Sequence, residues 1–291
     1  MIAARRFAAV GIGVAVAAAA CSAPTPEPAL PEQATTLTPA AVLPTEAAEA
    51  AGEEASASDA PLQAQLDAVA GEVAAEFGGR LGISVAGETG AVGAGDAEAT
   101  PAWSTIKVPI AIAALRADPA LYPTAASAIT VSDNAAAEEL YWAVGPGPVN
   151  RVLAEAGLEV SLNTEVVRPE FSTFGQTLLT PAQEAQLAGA IACLDGAGDV
   201  LGLMGSVDSG QAWGLGVLPG SMFKGGWGPE LDGAYQVRQL GLMPLPNAPF
   251  AAVSLSAFPA DGSFYTGQQM LTAAAMRLAQ LDELPPAVCQ P

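Results

Sequence analysis

Ser104 and Lys107 stand at the head of an apolar run, Ile106 to Leu115, that is too long for a typical strand and reads as a buried helix. Residues three apart share a helix face, so the Lys107 amine can reach the Ser104 hydroxyl. An amine buried in such a helix has its pKa lowered and can accept a proton, which makes the pair a candidate nucleophile and base. Ser104 falls at the helix N-terminus, where spare backbone N–H groups and the dipole favour a developing negative charge, and Pro109 requires the helix to have only just begun. A capping serine and a lysine reaching out to water fit the same four residues, so context has to separate the two readings.

The inventory supplies much of that context. The chain has no histidine, and its only lysines are Lys107 and Lys224. Ser-His-Asp catalysis, Cys-His pairs and the usual zinc sites are therefore excluded, leaving Lys, Asp and Glu as bases and calling for no metal or cofactor. Ten basic residues against thirty acidic ones, a net charge of −20, offer no basic stripe to meet phosphates, so nucleic acid is excluded as a partner. With 291 residues, 51% of them apolar, one full-sized domain with a tail is expected.

The elements that position the pair follow in order. Residues 1–21 have Arg5 and Arg6, an apolar run from Phe7 to Ala20, and small residues before Cys21; this is an export signal resembling a bacterial lipoprotein processing box, although Ala18 stands where a larger aliphatic is commoner. Cleavage there leaves Cys21 as a lipidated N-terminus, and an ordinary signal peptide cut nearby is the alternative. Residues 22–58, acidic and rich in Ala and Pro, cannot offset their ordering entropy by burial and read as a flexible stalk. From residue 59 the pattern becomes globular. Leu62, Leu66, Val69, Val73 and Phe77 predict an amphipathic helix closed by Gly78-Gly79. Leu81, Ile83 and Val85 alternate as a half-buried strand, with a Gly-rich return through Val92. After the reactive helix, Ser132-Asp133-Asn134 forms a loop ahead of an alanine-rich helix, Pro148 to Ala156 predicts a short helix, and Thr180-Pro181-Ala182-Gln183 opens another with a capping-box pattern. Strands are expected over Ser221 to Trp227, Ala234 to Gly241 and Phe250 to Phe258, then a helix from about Thr266 to Leu281. The fold class is α/β in the α+β sense: an antiparallel sheet of about five strands flanked by helices, with an inserted all-helical subdomain.

Three motifs now stand in order: Ser104-Thr105-Ile106-Lys107, Ser132-Asp133-Asn134 and Lys224-Gly225-Gly226. Over residues 59–291 the chain resembles the serine β-lactamase and penicillin-binding superfamily, whose S-x-x-K, S-D-N and K-T-G elements fall on helix, loop and strand in that order. The string Ala128 to Asn134 and the last helix are similar to the class A branch, including related lipoproteins of actinobacteria. The resemblance implies that Ser104 attacks a carbonyl while Lys107 takes its proton. It also implies that Ser132 relays a proton to the leaving group, Lys224 holds that serine and a substrate carboxylate, and Asn134 binds a substrate amide. Backbone N–H groups of Ser104 and Trp227, beside Gly226, would form the oxyanion hole. Two ammonium groups in one cleft disfavour each other's charge, so Lys224 is expected to make Lys107 more basic in function.

Departures from the pattern bear on turnover. Gly225 removes a threonine hydroxyl, Trp227 is bulky beside the cleft, and the short step from Ser104 to Ser132 leaves room for a wide cleft. The segment from Arg168 to Thr180 looks shortened where a class A loop supplies the glutamate that activates the deacylating water; Glu170 is the near candidate, with an ion pair to Arg168 as its other reading. Arg238, on the strand after Lys224, is a candidate carboxylate anchor or a strand-surface charge.

The expected function is a lipid-anchored extracytoplasmic serine hydrolase working through a Ser104 acyl-enzyme on a small molecule or peptide, peptidoglycan-derived peptides among the candidates, with poor β-lactam turnover. The other class is a degenerate lipoprotein that binds cell-wall or other ligands without turnover. With Cys21 used by the anchor, Cys193 and Cys289 are an even pair in an oxidising compartment, expected as a disulfide, with two separate thiols as the alternative. Replacing Cys21→Ala is expected to move the protein from the detergent phase to the aqueous phase in a phase-partition assay; unchanged partitioning would remove the anchor.

Overall fold

Leu62, Leu66, Val69 and Val73 are all buried on one side of α1 (Asp59–Phe77), and the helix stops where Gly78 and Gly79 take positive φ. The computed structural model describes residues 59–246 and 248–291; the leader with Cys21 and the linker 22–58 lie outside the described residues. No helix among the described residues is long and apolar enough to cross a membrane.

The chain turns from α1 into a hairpin, β1 (Arg80–Gly87) and β2 (Gly90–Gly95), and returns much later as β5 (Met222–Pro229), β6 (Tyr235–Pro244) and β7 (Phe250–Phe258). These five strands form one antiparallel sheet in the order β2-β1-β7-β6-β5, so β5, which carries Lys224, lies at an edge. Strand alternation divides the residues between two faces. Ile83, Val85, Val253 and Leu255 face α1 and α8 (Phe264–Leu278), and Met270, Leu271 and Leu278 of α8 close that layer. The opposite face is small and polar, with Ser84, Ser254 and Ser256 buried, and it receives α6 (Pro181–Ala190). Small residues allow close packing there: a Cβ added to Gly189 of α6 would lie 3.2 Å from the Ala252 Cβ. Thr180 and Gln183 make the expected capping box at the start of α6.

The middle of the chain is helical. Every residue of α2 (Lys107–Ala117) from Lys107 to Leu115 is buried, as its uniformly apolar sequence requires. Around it pack α3 (Tyr122–Thr130), α4 (Asn134–Val144), α5 (Pro146–Glu155) and α7 (Gly198–Met204). Two of these, α3 and α7, have short alanine- and glycine-containing sequences without a clear period, and tertiary packing rather than pattern forms them. A two-stranded pairing of β3 (Thr100–Pro101) with β4 (Leu178–Leu179) ties the approach to Ser104 to the end of the loop that follows α5. Two-residue strands leave no periodic signal in sequence.

Cys193 and Cys289 are joined, their Cα atoms 5.4 Å apart, and fasten the C-terminal tail to the end of α6. The tail also pairs with the sheet through the Ala287 amide and Phe250 carbonyl, 2.8 Å apart. A cross-link closing so long a loop constrains the unfolded chain by up to about 4–5 kcal/mol in the entropy model. The denatured, unreduced protein is expected to show no free thiol at either position, and Cys289→Ser should lower the midpoint of urea unfolding; two titratable thiols would remove the bond.

Candidate active site

The reactive serine sits in a 3-10 turn, Trp103–Ile106, whose entry residue Trp103 has φ 51°. A bulky residue in the left-handed region costs about 1–3 kcal/mol and persists only where its surroundings hold it. They do so here. The indole Nε1 donates to Gln236 Oε1 at 2.9 Å, the ring stands edge-on to Phe171 at 5.2 Å, and it packs on Gly228, where an added Cβ would come within 2.5 Å of the ring. Gly226 packs as tightly on the turn itself, since a Cβ there would lie 3.0 Å from the Ser104 backbone nitrogen. Neither alternative use of the two reactive residues occurs: Ser104 caps no helix, and Lys107 is 2% exposed.

Lys107 reaches the loop between α3 and α4. Its Nζ donates to Ser132 O and Asn134 Oδ1, each at 2.7 Å, and lies 3.3 Å from Ser132 Oγ. Ser132 is the second non-glycine residue with positive φ among the described residues, φ 59°, and Asp133 fixes the loop by capping α4, accepting from the amides of Ala135 and Ala136. Those bonds, that to Ala136 first, hold the Asp133 carboxyl below its ordinary pKa. From the other side Lys224 Nζ stands 2.8 Å from Ser132 Oγ and donates to Gly225 O at 2.8 Å. One hydroxyl therefore lies between two buried amines. Among the described residues no hydrogen bond joins Ser104 Oγ to Lys107.

Burial lowers the Lys107 pKa to about 8, against the attraction of Asp133 and Glu138. Lys224, fully buried, is pushed well below its ordinary value by desolvation first and by the Lys107 charge second. The repulsion between the two amines is mutual, and burial adds to it, so both lysines have lowered pKa values. Lys107 lacks its proton in about a tenth of molecules at pH 7. A neutral amine keeps two protons, enough for the two 2.7 Å bonds, and has its lone pair free to accept a third.

The cleft over Ser104 has a volume of about 270 Å³ and is lined also by Lys107, Asn134, Phe171, Trp227 and Tyr235. It is small, at the lower limit of the roughly 300–1,000 Å³ usual for ligand pockets, rather than wide, because aromatic side chains fill the room that the short helical segment leaves. A larger cavity of about 660 Å³ lies behind Trp103, between the loop after α5 and the β5–β6 turn, and contains none of the four reactive residues. At Gly225 an added Cβ would come 3.0 Å from the Trp213 ring, so an indole occupies the space a threonine side chain would need. Trp227 itself packs on Phe264, ring centroids 5.3 Å apart. Glu170 lies on the cleft rim, exposed and paired with Arg168 at 3.1 Å. A bond from its own backbone, then Arg168, keeps its carboxyl below the ordinary pKa, which makes it a weak base.

Arg238 is not at the cleft. It is fully buried on the α6 face, 2.8 Å from Glu184 Oε2, and its guanidinium also donates to the carbonyls of Thr100, Pro101 and Leu179. Packing explains the correction: Arg238 pairs with Gly226 and so shares a sheet face with Lys224, but β3, β4 and α6 cover that face at Arg238 and close it off from the cleft. Glu184, Thr105 and Trp103 hold the site and have no chemical motif to announce them. The one available signal was an acidic residue, Glu184, directly after the capping box of α6.

The five-stranded sheet, its two helical layers and the helical middle give the chain the fold of solved class A β-lactamases. A class A β-lactamase from Mycobacterium abscessus superposes with a TM-score of 0.61 at 17% identity, covering 74% of this chain and 97% of that one. A β-lactamase from Chitinophaga pinensis gives 0.61 at 17%, covering 74% and 98%, and one from Sphaerobacter thermophilus 0.59 at 21%, covering 75% and 98%. At these identities the likeness fixes the fold alone. No protein-family profile matches the sequence, and no curated protein sequence matches it.

Removing one partner of the buried pair leaves an uncompensated charge. Arg238→Met is expected to cost about 3–5 kcal/mol in urea unfolding, with much of the loss recovered in the Arg238→Met, Glu184→Leu double variant. An effect under 1 kcal/mol would mean that the pair is not what holds β3, β4 and α6 together.

Proposed function

We propose that the protein is a serine hydrolase acting through an acyl-enzyme on Ser104, carried to the outer face of a membrane by its leader and the lipid on Cys21. The observation that carries the reading is the Ser132 hydroxyl held between Lys224 at 2.8 Å and Lys107 at 3.3 Å beside the Ser104 turn. Ser104 Oγ forms a bond to the substrate carbonyl carbon as its proton passes to neutral Lys107. Ser104 and Trp227 backbone N–H groups would receive the oxyanion. The proton then moves through Ser132 to the leaving group as the amide or ester bond breaks, and water later releases the acyl group. Lys224 holds the Ser132 hydroxyl from the side opposite Lys107, 2.8 Å away. Asn134 keeps its NH₂ for a substrate carbonyl while its oxygen serves Lys107. The substrate is a small molecule or peptide, with peptidoglycan-derived compounds among the candidates.

A second reading, a lipoprotein that binds without turnover, is favoured by the absence of a Ser104–Lys107 bond and by the pairing of Glu170 with Arg168. Mass spectrometry after a fluorophosphonate separates the two: an adduct on Ser104, absent in Ser104→Ala, supports the hydrolase, and an unmodified protein supports the binder.

Neutral Lys107 is the competent form, so the acylation rate should rise about tenfold per pH unit below a pKa of about 8 and level off above it, and Lys107→Ala should slow it by about 10²–10⁴. Deacylation lacks a secure base, so a penicillin that acylates Ser104 should stay attached, and Glu170→Gln should change little. Rapid multiple turnover of a chromogenic cephalosporin, lost in Glu170→Gln, would make Glu170 the deacylating base instead.

A further inference from the structure

Resting on the hydrolase reading, the geometry points to a narrower substrate class: uncharged or cationic acyl compounds bearing an apolar or aromatic group, with compounds that carry a carboxylate beside the scissile bond excluded. The walls of the Ser104 cleft include Trp103, Phe171, Phe174, Trp227 and Tyr235, a dense aromatic lining for about 270 Å³. Aromatic walls of this kind bind flat apolar groups and cations through their faces.

Among the described residues no cation in or near the cleft is free to meet an anion. Lys107 is 2% exposed and spends its protons on Ser132 and Asn134, with Asp133 and Glu138 as its nearest negative charges. Lys224 is fully buried and donates to Gly225 O. Arg238 is fully buried on Glu184. Arg168, behind the rim, is bonded to Glu170 and Pro229 O and lies over the Phe171 ring at 4.5 Å. The hydroxyl that could have received a carboxylate at position 225 is replaced by the Trp213 indole. What the cleft does present is negative: Glu138 and Glu170 are both exposed on its lining, within a chain of net charge −20. A carboxylate brought there loses water without gaining a charged partner and meets like charge at the rim, whereas a neutral carbonyl can take bonds from Asn134, Ser172 or Tyr235.

Three ligands of one ring size test this without turnover: benzyltrimethylammonium, N-methyl-2-phenylacetamide and phenylacetate, titrated into the full-length protein by tryptophan fluorescence. Phenylacetate is expected to bind at least about tenfold more weakly than the amide, and the Glu138→Gln, Glu170→Gln double variant or high salt should narrow the gap to about threefold. Phenylacetate binding as tightly as the amide, no binding of any of the three, or a gap that neither the variant nor salt moves would overturn the inference. Labelling of Ser104 by a neutral fluorophosphonate is scored separately. Labelling with the wrong ligand order sinks the substrate class and keeps the hydrolase; the right order without labelling sinks the hydrolase and keeps the selectivity of the cleft.

Discussion

The ion pair between Glu184 and Arg238, 2.8 Å long with both side chains fully buried, is the constraint on which the rest of the site depends. Two charges removed from water are tolerable only when their remaining lone pairs and protons are met, and nearly all are. Arg238 gathers the carbonyls of β3 and β4, while Glu184 accepts from Ser254 of β7 and from Thr105, next to the nucleophile. Sheet, α6, reactive turn and the loop after α5 are thereby fastened at one point. The small residues on that sheet face are the other half of the arrangement, because they let α6 come close enough for a glutamate to reach an arginine on β6.

Above this foundation the site stores strain. Trp103 and Ser132 both adopt left-handed backbones, one preceding Ser104 and the other placing a hydroxyl between two amines. Each is held by bonds made elsewhere: Trp103 by Gln236 and the bare backbone of Gly228, Ser132 by the Asp133 cap and the Lys107 bond to its carbonyl. Strain of this kind favours preorganisation, since the groups need not be gathered when substrate arrives.

The two lysines divide their work by depth. Lys224, the more buried, has its pKa pushed down by desolvation and holds the Ser132 hydroxyl, while Lys107 has a pKa of about 8, within reach of neutrality. The same depth that makes them useful withdraws their charge from the cleft. Aromatic rings and two carboxylates are left to face the ligand, which sets this cleft apart from one built to hold an anion.

Sequence by itself determined the layers and the chemical cast. Period-3.6 spacing locates α1 and alternation locates β1, because burial of one face imposes those periods, while the length of the unbroken apolar run locates α2 and short strand-like segments locate β5 to β7, which are buried on both faces. Absence of histidine and the presence of only two lysines point to Ser104, Lys107, Ser132 and Lys224. Motif spacing could not say which elements would cover a given part of a sheet face, and so Arg238, on the same face as Lys224, lies buried under β3, β4 and α6 instead of in the cleft. Nor could it show that α6 would carry Glu184 to meet Arg238, that Trp213 would fill the space beside Gly225, or that Lys107 would turn toward Ser132. Those outcomes come from contacts between residues far apart in the chain, where neither partner's local sequence carries a trace of the other, and only the packed tertiary structure decides them.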